Sequence, residues 1–184
     1  METGWKLFPP GILTWAETGY DNITRAGKVD DKSQITAIAT VTAALTKLPL
    51  FFVAQGKTEQ VEETQIGDVS YHWKTHSESG WVTEDVFSQY LNHIRQYFDD
   101  MEKIYLILDV FPAHRHQKVI KEAAELNIDL IFIPAGLTDT YQPLDRSIFG
   151  VLKAKARRYF RMRYSHTNNI DITKKEAVQD FVGA

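Results

Sequence analysis

The chain contains no cysteine, which excludes disulfide bridges and thiolate-held zinc. It also lacks any apolar run near the roughly 18 residues of a membrane span, so no membrane partner is expected. No secretory signal is visible, which leaves the cytosol or the nucleus as the default compartment. There is no general excess of positive charge. At a net charge of −3, any contact with nucleic acid must come from a local patch. No glycine-rich loop follows a strand. Gly56-Lys57-Thr58 resembles the end of a phosphate-binding loop, but position 51 is phenylalanine where such a loop needs glycine, and the match reads as chance. Repeats and low-complexity segments are absent as well. What is present is ordinary for a globular domain: 184 residues, 43% hydrophobic and 24% charged, enough for one sizeable core.

The most informative stretch runs from Lys103 to Phe149. Two apolar runs, Ile104–Leu108 and Leu130–Ile133, predict buried strands, and the polar segment His114–Asn127 between them has a helical period over Val119, Ile120, Ala123, Ala124 and Leu126. Such a unit predicts a right-handed parallel crossover. Upstream, residues 1–33 read as loops with a short β segment at Ile12–Trp15. Residues 34–43 and Leu48–Gln55 predict strands joined by a hairpin-like turn at Ala44–Lys47. Residues 56–82 read as a long loop with a short strand at Val69–Trp73. Thr83 is a natural cap for a helix reaching Phe98, with Glu84 and Asp85 in its first turn and an apolar stripe through Val86, Phe87, Tyr90, Leu91, Ile94, Tyr97 and Phe98. A long helix is predicted over Ser147–Tyr164, with Asp145 as its cap, and a last short one over Thr173–Val182. The order predicts an α/β fold with a mixed sheet and helices on both faces.

Two carboxylates stand where such folds place chemistry. Asp109 closes the first of the two strands, and Asp145 follows the second after a loop. Paired carboxylates without sulfur suit Mg²⁺ or Mn²⁺, and two such ions can activate a water and stabilise the leaving oxygen of a phosphodiester. The plainer alternative is a strand-end turn residue and a helix cap. His114, beside Arg115 and His116, could orient a phosphate or a metal-bound water, or do neither. The segment KAKARRYFRMR places Lys153, Lys155, Arg157, Arg158, Arg161 and Arg163 on one helix, with Tyr159 and Phe160 between them. That helix could follow a phosphate backbone, or it could be a solvated face whose cations suit a helix C-terminus. Trp15, Trp73 and Trp81 read as core or loop anchors.

Several of these runs together resemble a family. LILDVFPAHR resembles the second catalytic motif of DDE-superfamily transposases of the pogo/Tigger and centromere-protein-B type, an Asp-Asn pair followed by a histidine. IPAGLTDTYQPLDRSIFGVLKAKAR resembles their third motif, LPLFFVAQGKT their hairpin, and SGWVTEDVFSQYL their first helix. The resemblance covers about residues 2–160. It implies a ribonuclease-H-like domain over residues 1–164, incomplete at its N-terminus and with its first central strand missing, followed by an extension over 165–184. It also implies a site of three carboxylates holding two Mg²⁺ or Mn²⁺ ions, DNA nicking followed by strand transfer, action in the nucleus, and DNA or a second copy as partner. On this mapping Asp109 and Asp145 are the second and third acids, and His114 and Gln142 fall on motif positions. The chain opens Met1-Glu2-Thr3-Gly4, so Met1 stands where the first aspartate is expected, and methionine does not ligate a hard cation usefully. Glu2 is its neighbour, and adjacent strand residues point to opposite faces, so Glu2 is expected to be a poor substitute. Val110 stands where the family has asparagine. Weak or absent nuclease activity is the expectation. The alternative is a catalytically inactive, domesticated module for nucleic-acid binding or dimerisation.

Overall fold

The computed structural model describes residues 2–6, 34–55, 61–66, 69–77, 80–142, 144, 148–164, 176, 178 and 179. The strand predicted at Ile12–Trp15, the segment Gly56-Lys57-Thr58, Asp145 and most of the helix predicted over Thr173–Val182 lie outside them. The architecture is mixed α/β, in two sheets.

The larger sheet has five strands in the order β1-β2-β3-β5-β4, formed by β1 (Glu2–Lys6), β2 (Gln34–Ile38), β3 (Phe51–Gln55), β4 (Val61–Ile66) and β5 (Val69–Ser77). β1, β2 and β3 pair antiparallel, with Glu2 opposite Ile38 and Ile35 opposite Ala54. The β2–β3 connection is the expected hairpin-like turn, with Leu45 at a φ of 62° and Val41 bridged to Lys47. Three strands differ from expectation, β1 and β4 by being present and β5 by running four residues past the expected Trp73. β1 occupies a stretch that reads as loop, because Glu2–Lys6 has no apolar alternation and is held by its register with β2. Strands β4 and β5 fill most of the expected long loop. β4 stands at the end of this order and pairs with β5 alone among the described residues.

The smaller sheet pairs β6 (Ile104–Leu108) with β7 (Ile128–Phe132) in parallel, joined through a 3₁₀ turn at Pro112–Arg115 and α2 (Gln117–Glu125). The parallel strand–helix–strand unit is therefore as expected, but β6 and β7 form their own sheet instead of extending a single one. Their burial also differs. Ile104, Leu108 and Ile128 are buried, while Tyr105, Ile107 and Ile131 are exposed, so these strands bury one face and not two. α2 likewise buries Val119 and Ala123, whereas Ile120 and Ala124 face solvent.

What joins the two sheets is α1 (Glu84–Arg95). Thr83 caps it, accepting from the Val86 amide at 3.4 Å. Its stripe of Val86, Phe87, Tyr90, Leu91 and Ile94 is almost wholly buried, in one core with Ile38, Phe51 and Val53 from the first sheet and Ile104, Leu108 and Ile128 from the second. Burying Leu91 alone is worth about 2 kcal/mol. A single helix with a broad apolar face thus fixes where the end of β6 lies relative to β1 and β2. At its far end Arg95 donates to the Glu102 carbonyl at 2.8 Å, which holds the turn into β6. A short α3 (Thr138–Tyr141) follows β7, and α4 (Phe149–Tyr164) closes the described chain apart from three residues beyond it. Phe149, Ala156 and Phe160 are the buried side of α4, while Ile148 and Tyr159 face outward.

Candidate active site

Asp109 is the first residue past β6. The strand pairing runs to its threshold, because the Ile133 amide donates to the Leu108 carbonyl at 2.8 Å. The chain then has to turn. Pro112, with its φ already set, starts the 3₁₀ turn, and the His114 amide closes it on the Phe111 carbonyl at 3.0 Å. This turn brings the His114 ring back to Asp109. The ring is 2% exposed and lies between Phe87 of α1, at 4.2 Å between centroids, and Phe111, at 5.4 Å. Its Nδ1 is 3.0 Å from Asp109 Oδ1 and 3.3 Å from the Asp109 carbonyl oxygen. Nδ1 thus faces both the side-chain and the main-chain oxygen of Asp109, and the carboxylate oxygen is the nearer.

The opposite edge of the same ring meets Glu2. Nε2 is 3.9 Å from Glu2 Oε1. The Glu2 side chain is 15% exposed, and its Oε2 is sealed from solvent without a hydrogen-bond partner among the described residues. Glu2, His114, Phe87, Tyr90, Ile38 and Leu106–Leu108 line a cavity of about 10 Å³, the size of one water. Tyr90 reaches the same region from α1, and its hydroxyl is hydrogen-bonded to that of Thr40.

The two acids are pushed in opposite directions. Contact with His114 holds the Asp109 carboxyl below its usual range, against a smaller effect of burial. Burial pushes Glu2 upward, partly offset by His114 and reinforced by the charge of Asp109. Burial also pushes the Tyr90 hydroxyl up to about 12. Asp109 is therefore ionised at neutral pH, and its side chain remains 27% exposed although Oδ1 is sealed. An ionised oxygen donor with an open side is what a hard cation takes. The donor chemistry fits Mg²⁺ or Mn²⁺, although no three metal-capable side chains cluster among the described residues.

Of the residues singled out from the sequence, Asp109 and His114 are brought together. Asp145 lies outside the described residues, but its neighbour Leu144 is buried with Ala39 and Phe149. Gln142 is buried, and its Oε1 has no partner among the described residues. On α4, Lys155, Arg158 and Arg161 are exposed and Lys153 and Arg157 half-buried, while the side chain of Arg163 lies outside the described residues. Trp81 is exposed, whereas Trp15 and the side chain of Trp73 lie outside the described residues. Tyr90 and Thr40 are site residues that the sequence reading does not single out, and Glu2 is one that it weighs as a substitute ligand and sets aside. Glu2 in particular was expected to face away. Strand alternation does not keep it from the site, because the imidazole spans the distance between its carboxylate and that of Asp109.

The sequence model of the family described as DDE superfamily endonuclease matches residues 32–183. Among curated proteins, CENP-B homolog protein 2 of Schizosaccharomyces pombe is 26% identical over 171 residues, which cover 86% of this chain and 31% of that protein. The mouse protein named pogo transposable element with KRAB domain is 28% identical over 160 residues, 85% of this chain and 26% of its own. Its human counterpart is 28% identical over 131 residues, 69% of this chain and 21% of its own. The chain thus spans about a fifth to a third of the length of these relatives.

Proposed function

We propose, from the premise that this chain belongs to the DDE superfamily endonucleases, in a pogo- and CENP-B-like branch, that it cleaves phosphodiester bonds of DNA at a divalent-metal site built on Asp109 and Asp145. The observation that carries this reading is Asp109: an ionised, partly open carboxylate at the carboxyl end of a parallel strand, fixed by a buried imidazole. Asp145 enters through its place in the run that resembles the third motif, and its neighbour Leu144 is buried with Ala39 and Phe149. When bound, Mg²⁺ or Mn²⁺ would polarise the scissile phosphate and activate a water. The residues of the chain do the rest. Asp109 and Asp145 hold the ion. His114, too buried to touch a phosphate, fixes the Asp109 carboxylate. The exposed Lys155, Arg158 and Arg161, with Lys153 and Arg157 behind them, hold the DNA backbone on a helix without a single acidic residue. The fold is read as ribonuclease-H-like, on the support of the antiparallel β1–β2–β3 and the parallel β6–α2–β7 unit. A DNA substrate puts the work of the domain in the nucleus.

A second reading has its own observation. Glu2, the acid nearest Asp109 among the described residues, is pushed upward by burial and has its Oε2 sealed from solvent, so it is less suited than Asp109 to ligate a cation. That favours a DNA-binding module without cleavage. Supercoiled plasmid with Mg²⁺ or Mn²⁺ separates the two. Nicking by the parent chain that disappears in Asp109→Ala and Asp145→Ala supports the endonuclease. Retarded plasmid that is never nicked supports the binding module.

A further inference from the structure

The matched family span starts at residue 32, so nothing in it speaks for Glu2. Yet the structure brings this carboxylate from β1 to a residue more than a hundred positions away. Glu2 Oε1 lies 3.9 Å from His114 Nε2, a separation that one water can bridge, and the two residues line a common cavity of about 10 Å³. His114 has few other ways to be held. Phe87, tilted at 4.2 Å between centroids, and Phe111, edge-on at 5.4 Å, pack against the ring but make no contact with its nitrogens that would set their direction. Among the described residues, its two nitrogens meet Asp109 on one edge and Glu2 on the other.

We propose that Glu2 is a positioning residue: its carboxylate holds the Nε2 edge of His114, and His114 through Nδ1 sets the orientation in which Asp109 meets the metal ion. The proposal rests on the reading of Asp109 as a metal ligand. It assigns Glu2 a role other than that of a replacement ligand. Outer partners of this kind, which orient a ligand through an imidazole, typically change metal affinity by about 10–100-fold when removed. Glu2 acts through one further residue, so about tenfold is expected, the lower end of that range.

Mn²⁺ is the probe. It is titrated into the full chain and into the Glu2→Gln, Glu2→Asp and Asp109→Asn variants, free Mn²⁺ is counted by electron paramagnetic resonance, and folding is followed by circular dichroism. The ring nitrogens of His114 are observed by ¹⁵N NMR in the metal-free proteins. Glu2→Gln is expected to weaken Mn²⁺ binding about tenfold without loss of folded signal and to shift the Nε2 resonance. Glu2→Asp, which keeps the charge on a shorter arm, is expected to recover part of both, and it decides the question if the Gln variant does not fold. Asp109→Asn is expected to lose binding outright. If Asp109→Asn loses Mn²⁺ while folded Glu2 variants bind it as the parent does, with an unmoved Nε2 signal, the role of Glu2 is overturned and the metal reading stands. If the parent takes up no Mn²⁺, or Asp109→Asn takes up as much as the parent, the metal reading falls and this proposal with it.

Discussion

Replacing His114 with alanine is the sharpest single perturbation of the site, because the ring is 2% exposed and touches both acids. Two costs add. Deleting the ring leaves about 60 Å³ of space between Phe87 and Phe111, which at ~24 cal/mol per Å³ is about 1.5 kcal/mol. Asp109 and Glu2 also lose the group between them, and Glu2 Oε2 already has no partner among the described residues. A fully buried pair broken in this way costs about 3–5 kcal/mol, but the 27% exposure of Asp109 lets water take over part of the role, so about 1.5 kcal/mol is retained here. The total is about 3 kcal/mol, or a fall of ~8 °C in Tm for a chain of this length. His114→Phe separates the two terms. It refills the space and keeps the ring contacts but supplies no nitrogen, so it is expected to recover about half of the loss. Differential scanning calorimetry of the three proteins at neutral pH measures both. A fall below about 2 °C for the alanine variant, less than 1 kcal/mol, refutes the account, as does full recovery by phenylalanine.

The pH dependence of stability should show the two acids with opposite signs. Asp109, held down by His114, stabilises the fold above the ordinary value of 3.8, and this contribution disappears as pH falls through its depressed folded value; the Tm deficit of Asp109→Asn should therefore be present at neutral pH and close towards strong acid. Glu2, pushed up by burial, favours the fold below the ordinary value of 4.5 and loses that contribution as pH rises through its raised folded value, so the Tm advantage of Glu2→Gln over the parent should grow across that window and then level off. On α4, a triple change of Lys155, Arg158 and Arg161 to glutamine should reduce the slope of log affinity against log salt for duplex DNA by about 2–3, and an unchanged slope in fluorescence anisotropy would remove this helix from the interface. Thr83→Ala removes the cap of α1 and should cost about 1 kcal/mol in urea unfolding.

Much of this was legible because it depends on local pattern. The apolar stripe and Thr83 cap of α1 are local, as are β6, β7, the break at Asn127 with its φ of 56°, and the acid closing β6. The pair Asp109 and His114 was legible too, since a short turn starting at Pro112 brings a residue five positions on back to the strand end. Strand β4 and the last four residues of β5 were missed, a strand being expected only over Val69–Trp73, although a signal exists. Gly67-Asp68 is a two-residue link between segments paired at Ile66 and Val69, a hairpin signature hidden by the polar run on the edge strand. The exposed face of β6 and β7 was missed for a different reason. Continuous apolar runs read as covered on both sides, and only packing shows that Tyr105, Ile107 and Ile131 are uncovered among the described residues. The contact of Glu2 with His114 had no local signal. It is made by a side chain that the sequence places a hundred residues away and that α1 positions through Phe87.

The opposite shifts of the two acids also limit what each can do. Paired titratable groups whose surroundings push them apart have different roles, and here His114 lowers Asp109 while burial, against the pull of the same imidazole, raises Glu2. Asp109 has the ring on one side and solvent on the other, so it stays charged and open to a cation. Glu2 has the ring on one side and the core on the other, so charge is disfavoured and no cation reaches its sealed Oε2. Using Glu2 as a metal ligand would first require its sealed Oε2 to leave a cavity that it shares with the buried Ile38 and Leu108. The two acids are therefore not interchangeable. Asp109 is suited to hold the ion, and Glu2 to hold the residue that aims it.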